Sequence, residues 1–296
     1  MRVLLVVAAV AAAAAFASNA RAQSRGAASQ SSCAIAATQG VSERRLTSGG
    51  RERSYRLYVP PGYDGRTALP LVLDMHGSGG TADRQAATSR FEALAEREGV
   101  LVATLQAVAE GNRWNVPIQS ERPDDVRYVS DVIDDVAKRA CTDERRVYAT
   151  GFSGGARMSS LLACKLSDRI AAIAPMAGLR WPGQCRGRAV PVLTFHGLAD
   201  PQNTYDGHVA SRAGEWDESV PEALAGWAKH NGCHGDAILD DPPGPLSTLS
   251  YKGCDAEVRL VRIDGLVHTW ARNEVDATAE MWRFFSAHEL ADPRAR

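Results

Sequence analysis

The sequence has almost no net charge: 34 Lys and Arg against 35 Asp and Glu leave a formal value of -1 over 296 residues. That balance excludes the basic face with which DNA- and RNA-binding proteins neutralise phosphates. None of its six cysteines (Cys33, Cys141, Cys164, Cys185, Cys233, Cys254) stands in a CxxC pair, so no close-spaced zinc or redox site is expected. Beyond the first 22 residues no apolar run approaches the roughly 20 residues that cross a bilayer. There is no internal repeat. With 26 Gly and 14 Pro, the chain is neither collagenous nor a disulfide-dense miniature scaffold. A soluble globular protein with room for a full hydrophobic core remains.

The N-terminus carries an address rather than a fold. Met1 and Arg2 precede an apolar run, Val3 to Ala17, and Ala20-Arg21-Ala22 offers small residues for cleavage. Residues 1–22 therefore read as a secretory signal peptide, and residues 23–40, small and polar, as a disordered leader. Export makes the even cysteine count a disulfide framework. Cys233 and Cys254 flank a Pro/Gly-rich excursion and are expected to pair. The other four leave three pairings open.

From about residue 42, apolar periodicity alternates between short strands and amphipathic helices. Strands are expected at 54–59 (near an edge, closed by Pro60-Pro61), 69–75, 100–105, 146–150, 171–176, 190–195 and 258–263. Helices are expected at 83–98, 124–140, 155–166, 219–229 and 276–288. Strands separated by helices of this length predict a single α/β domain over residues 41–296, with a mostly parallel sheet covered on both faces.

Gly151-Phe152-Ser153-Gly154-Gly155 matches the G-x-S-x-G nucleophile elbow. Alone the pattern is weak. Here it joins a predicted strand to a predicted helix, the turn that projects a serine hydroxyl into solvent. A nucleophilic serine needs a base and an orienting acid, which in this arrangement follow it in chain order. Asp200 and His268 both fall just past the C-terminal ends of predicted strands, the end at which Ser153 emerges. His208, His230, His234 and His288 fall in polar loops or at helix ends, and His76 and His196 stand before glycines where an imidazole orders a loop. Asp206 and Asp217 lie farther from the strand end than Asp200. His76-Gly77-Ser78-Gly79-Gly80 follows another strand; it lacks the Lys-Ser/Thr ending of a phosphate loop. It is read instead as half of an oxyanion hole, built from the backbone amides of Ser78 and Gly154.

These residues resemble the secreted feruloyl esterase and polyhydroxybutyrate depolymerase group of α/β-hydrolases. The likeness runs through RSYRLYVPPGYD (53–64), LDMHGSGG (73–80), RRVYATGFSGGARMS (145–159), PVLTFHGLADP (191–201) and HTWARNEVDATAEMWRFF (268–285). It implies an α/β-hydrolase fold and ester hydrolysis through an acyl-enzyme, with Ser153, Asp200 and His268 as nucleophile, acid and base, and no metal or other cofactor. The implied substrate is a small or oligomeric ester, cinnamoyl or, alternatively, aliphatic polyester; a non-catalytic binding protein on the same fold is the reading from another class. No appended substrate-binding domain is read after His288, which favours small or oligomeric esters. Trp114 and Trp270 are candidates for an apolar acyl slot, with Trp216 as a further wall and Trp227 and Trp282 in the core. Val267 and Ala271-Arg272 depart from the family, where glycine precedes the base and Pro-Gly follows His-Thr-Trp.

Overall fold

The computed structural model describes residues 33–207, 217–240 and 244–292. Residues 1–22, read as a signal peptide, and 23–32 lie outside them, as do His208 and Trp216. The described residues belong to one compact unit, Ser32–Arg296.

Ten strands form one sheet. In chain order they are β1 (Gly40–Ser48), β2 (Arg51–Val59), β3 (Leu69–Met75), β4 (Leu101–Leu105), β5 (Thr142–Phe152), β6 (Ala172–Met176), β7 (Val192–Gly197), β8 (His234–Leu239), β9 (Leu246–Lys252) and β10 (Val258–Ile263). Their order across the sheet is β1-β2-β4-β3-β5-β6-β7-β10-β9-β8. The block from β4 to β10 is parallel; β2-β1 and β9-β8 flank it antiparallel. Parallel strands must be covered on both faces, and β3, β4, β6 and β7 are accordingly apolar runs buried almost throughout.

The helices are α1 (Ala82–Ser89), α2 (Phe91–Glu98), α3 (Asp125–Arg139), α4 (Gly154–Lys165), α5 (Val220–His230) and α6 (Ala277–Ser286). One core cluster gathers α3, α4 and α5 through residues such as Ile133, Leu162 and Trp227. The other gathers α2 and α6 through Phe91, Leu94, Met281 and Phe285. Truncating a buried aromatic such as Phe91 or Phe285 in a core like this costs about 3–5 kcal/mol.

The helix expected over 83–98 is two helices. Arg90 takes a left-handed conformation, φ 58°, and ends α1 before α2 begins. Phe91, Leu94 and Ala95, the apolar residues that suggested one helix, all belong to α2, and α1 carries no comparable apolar stripe. Three strands also escaped the periodicity. β1 is largely polar; it joins β2 through Gly49 and Gly50, at φ 55° and 74°, the left-handed pair that a two-residue hairpin turn requires. β8, largely exposed, and β9 form a hairpin inside the Cys233–Cys254 loop.

Cys233 pairs with Cys254 as expected, and the open pairings resolve as Cys33–Cys141 and Cys164–Cys185. The leader expected over 23–40 is anchored over its last residues. Besides the Cys33–Cys141 bond, the Ile35 amide donates to the Gly65 carbonyl at 3.0 Å and the Tyr63 hydroxyl donates to the Ile35 carbonyl at 2.6 Å. No helix of the described residues is long and apolar enough to cross a membrane.

Candidate active site

Because β3, β5, β7 and β10 run parallel, their C-terminal ends share one edge of the sheet. Ser78 follows β3, Ser153 follows β5, Asp200 follows β7 and His268 follows β10. Open α/β sheets present their ligand sites at that edge.

Ser153 joins β5 to α4 at φ 53° and ψ -110°. A left-handed φ in a residue with a Cβ stores about 1–3 kcal/mol and persists only where its surroundings enforce it. They do so here. The Ser153 amide donates to the Met176 carbonyl at 2.9 Å. A Cβ on Gly151 or Gly155 would come within 2.5 Å or 2.1 Å of the Met75 carbonyl oxygen. The two glycines thus let β3 press against the elbow. The Ser153 hydroxyl does not cap α4; it faces the Nε2 of His268 at 2.9 Å.

His268 Nδ1 lies 2.6 Å from Asp200 Oδ2. With Nδ1–H donating to the carboxylate, Nε2 is left as the acceptor for the serine proton. The His268 ring packs against Phe152, 4.7 Å between centroids. Asp200 is 3% exposed. Burial raises its pKa, but the hydrogen bond from His268 and those from the Asn203 and Gln202 amides (2.9 and 2.8 Å, both to Oδ1) outweigh it, and the carboxyl is held below its ordinary value. The imidazole is therefore backed by a carboxyl group whose ionised form is favoured.

Asn203 was not singled out from the sequence. It is 2% exposed; its side chain donates to the Ala177 carbonyl at 2.7 Å and accepts from Arg157 Nη2 at 2.8 Å. It thereby ties the turn bearing Asp200 to α4, the helix that follows Ser153. The available signal was Asp-Pro-x-Asn itself, a spacing at which an aspartate accepts amides two and three residues on.

The Ser78 and Gly154 backbones meet. A Cβ on Gly154 would lie 3.1 Å from the Ser78 amide nitrogen and 2.6 Å from its hydroxyl. Gly154 is the first residue of α4, so its amide has no intrahelical acceptor. The neighbouring amides are occupied: Gly79 donates to Gly111 and Gly80 to Gly77, at 3.0 and 2.9 Å. His76, 1% exposed, orders this loop through Nδ1–H to the Gly77 carbonyl (2.7 Å) and Nε2 accepting from the Ala107 amide (3.1 Å).

Both tryptophans expected to wall an acyl slot are buried. Trp114 is 3% exposed; its indole N–H donates to the His76 carbonyl at 2.7 Å and its ring leans on the His76 imidazole, though it also borders a narrow cleft beside Gly154. Trp270 is 4% exposed, donates to Thr278 Oγ1 at 3.1 Å and meets Phe91 edge to face. Trp270 thus packs the second core cluster, and Trp114 supports the Gly-rich loop. Trp227, expected in the core, is fully buried. Among the described residues no group of three or more His, Cys, Asp or Glu could hold a metal ion.

Feruloyl esterase B of Piromyces equi is 31% identical over 216 residues, covering 68% of this chain and 39% of that protein. The chain thus spans well under half the length of this relative. Probable feruloyl esterase C of Aspergillus niger is 26% identical over 248 residues, 79% of this chain and 84% of that protein. Among solved structures, the acetyl xylan esterase from Aspergillus awamori superposes with a TM-score of 0.63 at 15% identity, covering 83% of this chain and 99% of that one. That likeness establishes the α/β-hydrolase fold. The family described as Esterase PHB depolymerase matches residues 53–215, over half the chain and including Ser78, Ser153 and Asp200, and the chain belongs to that family.

Proposed function

We propose that this protein is a secreted serine carboxylic ester hydrolase. The observation that carries the reading is the unbroken series Ser153 Oγ, His268 Nε2, His268 Nδ1, Asp200 Oδ2, with contacts of 2.9 and 2.6 Å. His268 takes the Ser153 proton as the oxygen attacks the ester carbonyl; the alcohol leaves with that proton, and the acyl group rests on Ser153. Water then attacks the acyl-enzyme, giving a proton to His268, which passes it to the Ser153 oxygen as the bond to the acyl group breaks and the acid leaves. Asp200 holds the imidazole tautomer and stabilises the imidazolium. The amides of Ser78 and Gly154 receive the oxyanion, where losing one donor typically costs 10²–10³ in rate.

Feruloyl or a related aromatic acyl ester is the favoured substrate, supported by the two feruloyl esterase relatives. Aliphatic polyester or its oligomers is the second reading, favoured by the family match. Export is supported by three disulfides, which persist in oxidising compartments. The test offers the purified protein methyl ferulate, 4-nitrophenyl acetate and polyhydroxybutyrate beside a Ser153→Ala control. Serine-dependent ferulate release supports the first reading, and polymer clearing without it the second. No serine-dependent turnover of any of these esters would leave the reading as a non-catalytic binding protein standing.

A further inference from the structure

His196 is the penultimate residue of β7 and has no exposed surface. Strand positions this deep ordinarily take apolar side chains, because a buried imidazole costs free energy unless it is hydrogen-bonded. The sequence sets His196 before a glycine, where an imidazole orders a loop; the loop it orders is the one that bears the acid. Nε2 lies 2.7 Å from the Asn203 carbonyl oxygen. A carbonyl only accepts, so Nε2 carries the proton. The same nitrogen stands 3.7 Å from Asp200 Oδ2, the oxygen that meets His268 Nδ1 at 2.6 Å. That separation is too long for a hydrogen bond but close enough for the polar N–H to act on the carboxylate through its charge.

Asp200 stands on a turn, and a turn holds a reacting group less precisely than a strand does. Here the turn is fastened to the strand that feeds it. Asp200 Oδ1 accepts the Gln202 and Asn203 amides at 2.8 and 2.9 Å, which fixes the carboxylate and leaves Oδ2 for His268. Asn203, in turn, is held through its carbonyl by His196, a side chain rooted in β7. A continuous series of polar contacts then runs from His196 to Asn203, Asp200, His268 and Ser153. Charge matters as well as direction. Burial lowers the His196 pKa, against the Asn203 carbonyl and the Asp200 charge, which both favour the cation. A neutral His196 leaves the Asp200 charge to the one imidazolium that forms at His268.

We propose that His196 is a positioning residue for the acid: donating through Nε2 to the Asn203 carbonyl, it fixes the turn that aims Asp200 Oδ2 at His268. With no exposed surface it meets no substrate and acts through the Asp200 turn. The inference rests on the ester-hydrolase reading above and adds to it a residue outside the three reacting groups.

The experiment sets wild type beside three variants. His196→Leu fills the core without a donor. His196→Gln carries an amide nitrogen that extends about as far as Nε2, and His196→Asn carries one that stops short of it. Turnover of 4-nitrophenyl acetate and methyl ferulate gives kcat and KM. Proton NMR reads the strongly deshielded proton between His268 Nδ1 and Asp200, and thermal melts establish which variants are folded. The expected result is a kcat lowered on the order of 10²-fold in the leucine and asparagine variants, the scale of a small misplacement at the reacting groups, with KM unchanged. The deshielded signal should be lost or broadened in both. The glutamine variant should recover most of the rate and the signal. The glutamine and asparagine variants decide the matter even where the leucine variant fails to fold. Wild-type kcat and signal in a folded leucine or asparagine variant overturns the proposal, as does a glutamine variant no better than asparagine. If wild type turns over no ester but loses its deshielded proton in the asparagine variant, the hydrolase reading falls and the role of His196 stands; serine-dependent turnover that is equal in all variants does the reverse.

Discussion

The Nε2 of His268 stands 2.9 Å from the hydroxyl oxygen of Ser153, across 115 positions of sequence. The strands that deliver them are not neighbours, because β6 and β7 lie between β5 and β10. At ordinary strand spacing that is a gap of about 14 Å. Two turns close it. The acid's turn after β7 reaches outward to meet the histidine, and the Leu266 carbonyl accepts from the Ala199 amide at 3.2 Å, pinning the loop after β10 to the loop after β7.

Strain at Ser153 separates function from stability. Ser153→Ala and Ser153→Gly should both lose at least about 10³ of esterase rate. Only glycine relaxes the φ of 53°, so Ser153→Gly should be the more stable of the two by about 1 kcal/mol. Thermal melts of both variants decide this; an alanine variant melting at the same temperature or higher would show that the elbow is not strained.

Trp114 should matter to rate through the loop it holds. Trp114→Phe keeps most of the packing but leaves the His76 carbonyl without its indole donor. An unsatisfied buried carbonyl costs about 1–3 kcal/mol. Because His76 leads into the Ser78 amide, kcat should drop by roughly tenfold with little change in KM. A rise in KM alone would instead mark Trp114 as a substrate contact.

Asp74, fully buried on β3, should make the fold less stable as pH rises. Burial pushes its pKa up to about 7, and hydrogen bonds from Ser89 (2.6 Å) and Gln85 (2.7 Å) only partly oppose this. A carboxyl whose folded pKa exceeds its unfolded one stabilises below the unfolded value, near 4, and loses that contribution as pH climbs through about 7. Asp200 has the opposite sign: its depressed pKa gives a contribution present above the unfolded value and lost only as pH falls through the lowered one. Asp74→Asn should flatten the decline in stability between pH 5 and 8, by an amount on the order of 2 kcal/mol. Denaturant titrations at the two pH values measure it, and an unchanged slope would clear Asp74 of the effect.

Replacing Cys233 and Cys254 together by serine should cost stability without costing rate. Their bond closes a loop with a sequence separation of 21, worth about 3 kcal/mol in the chain-entropy model. The hairpin it staples borders β10 through β9, but the bond sits where β10 begins, at the opposite end of that strand from the turn bearing His268. A lower melting temperature with unchanged kcat is expected; loss of kcat in folded protein would show that the hairpin supports the site.

Much of this arrangement is written locally. The elbow is legible because two glycines at fixed offsets from Ser153 admit the Met75 carbonyl, a requirement of a few consecutive residues. Strands such as β3, β6 and β10 are legible because burial on one or both faces leaves its mark on composition. β1 and β8 are not, since edge strands with polar side chains owe their conformation to a partner's hydrogen bonds. The break at Arg90 is not, because an arginine does not announce a left-handed φ. The tryptophans show a different gap: position in a loop near the site says nothing about where an indole points, and the His76 carbonyl and the Thr278 hydroxyl hold these two.

Local chemistry alone was enough to propose Ser153, Asp200 and His268 as a set, in that order along the chain, and to give the alternation that makes a mostly parallel sheet. It was also enough to show that Cys233 and Cys254 bracket one excursion. Only the folded chain chose among the other cysteine pairings and brought Asn203 under Asp200. Such contacts depend on side-chain directions across distant segments, and these are set by packing and hydrogen bonding between elements, which no stretch of sequence contains by itself.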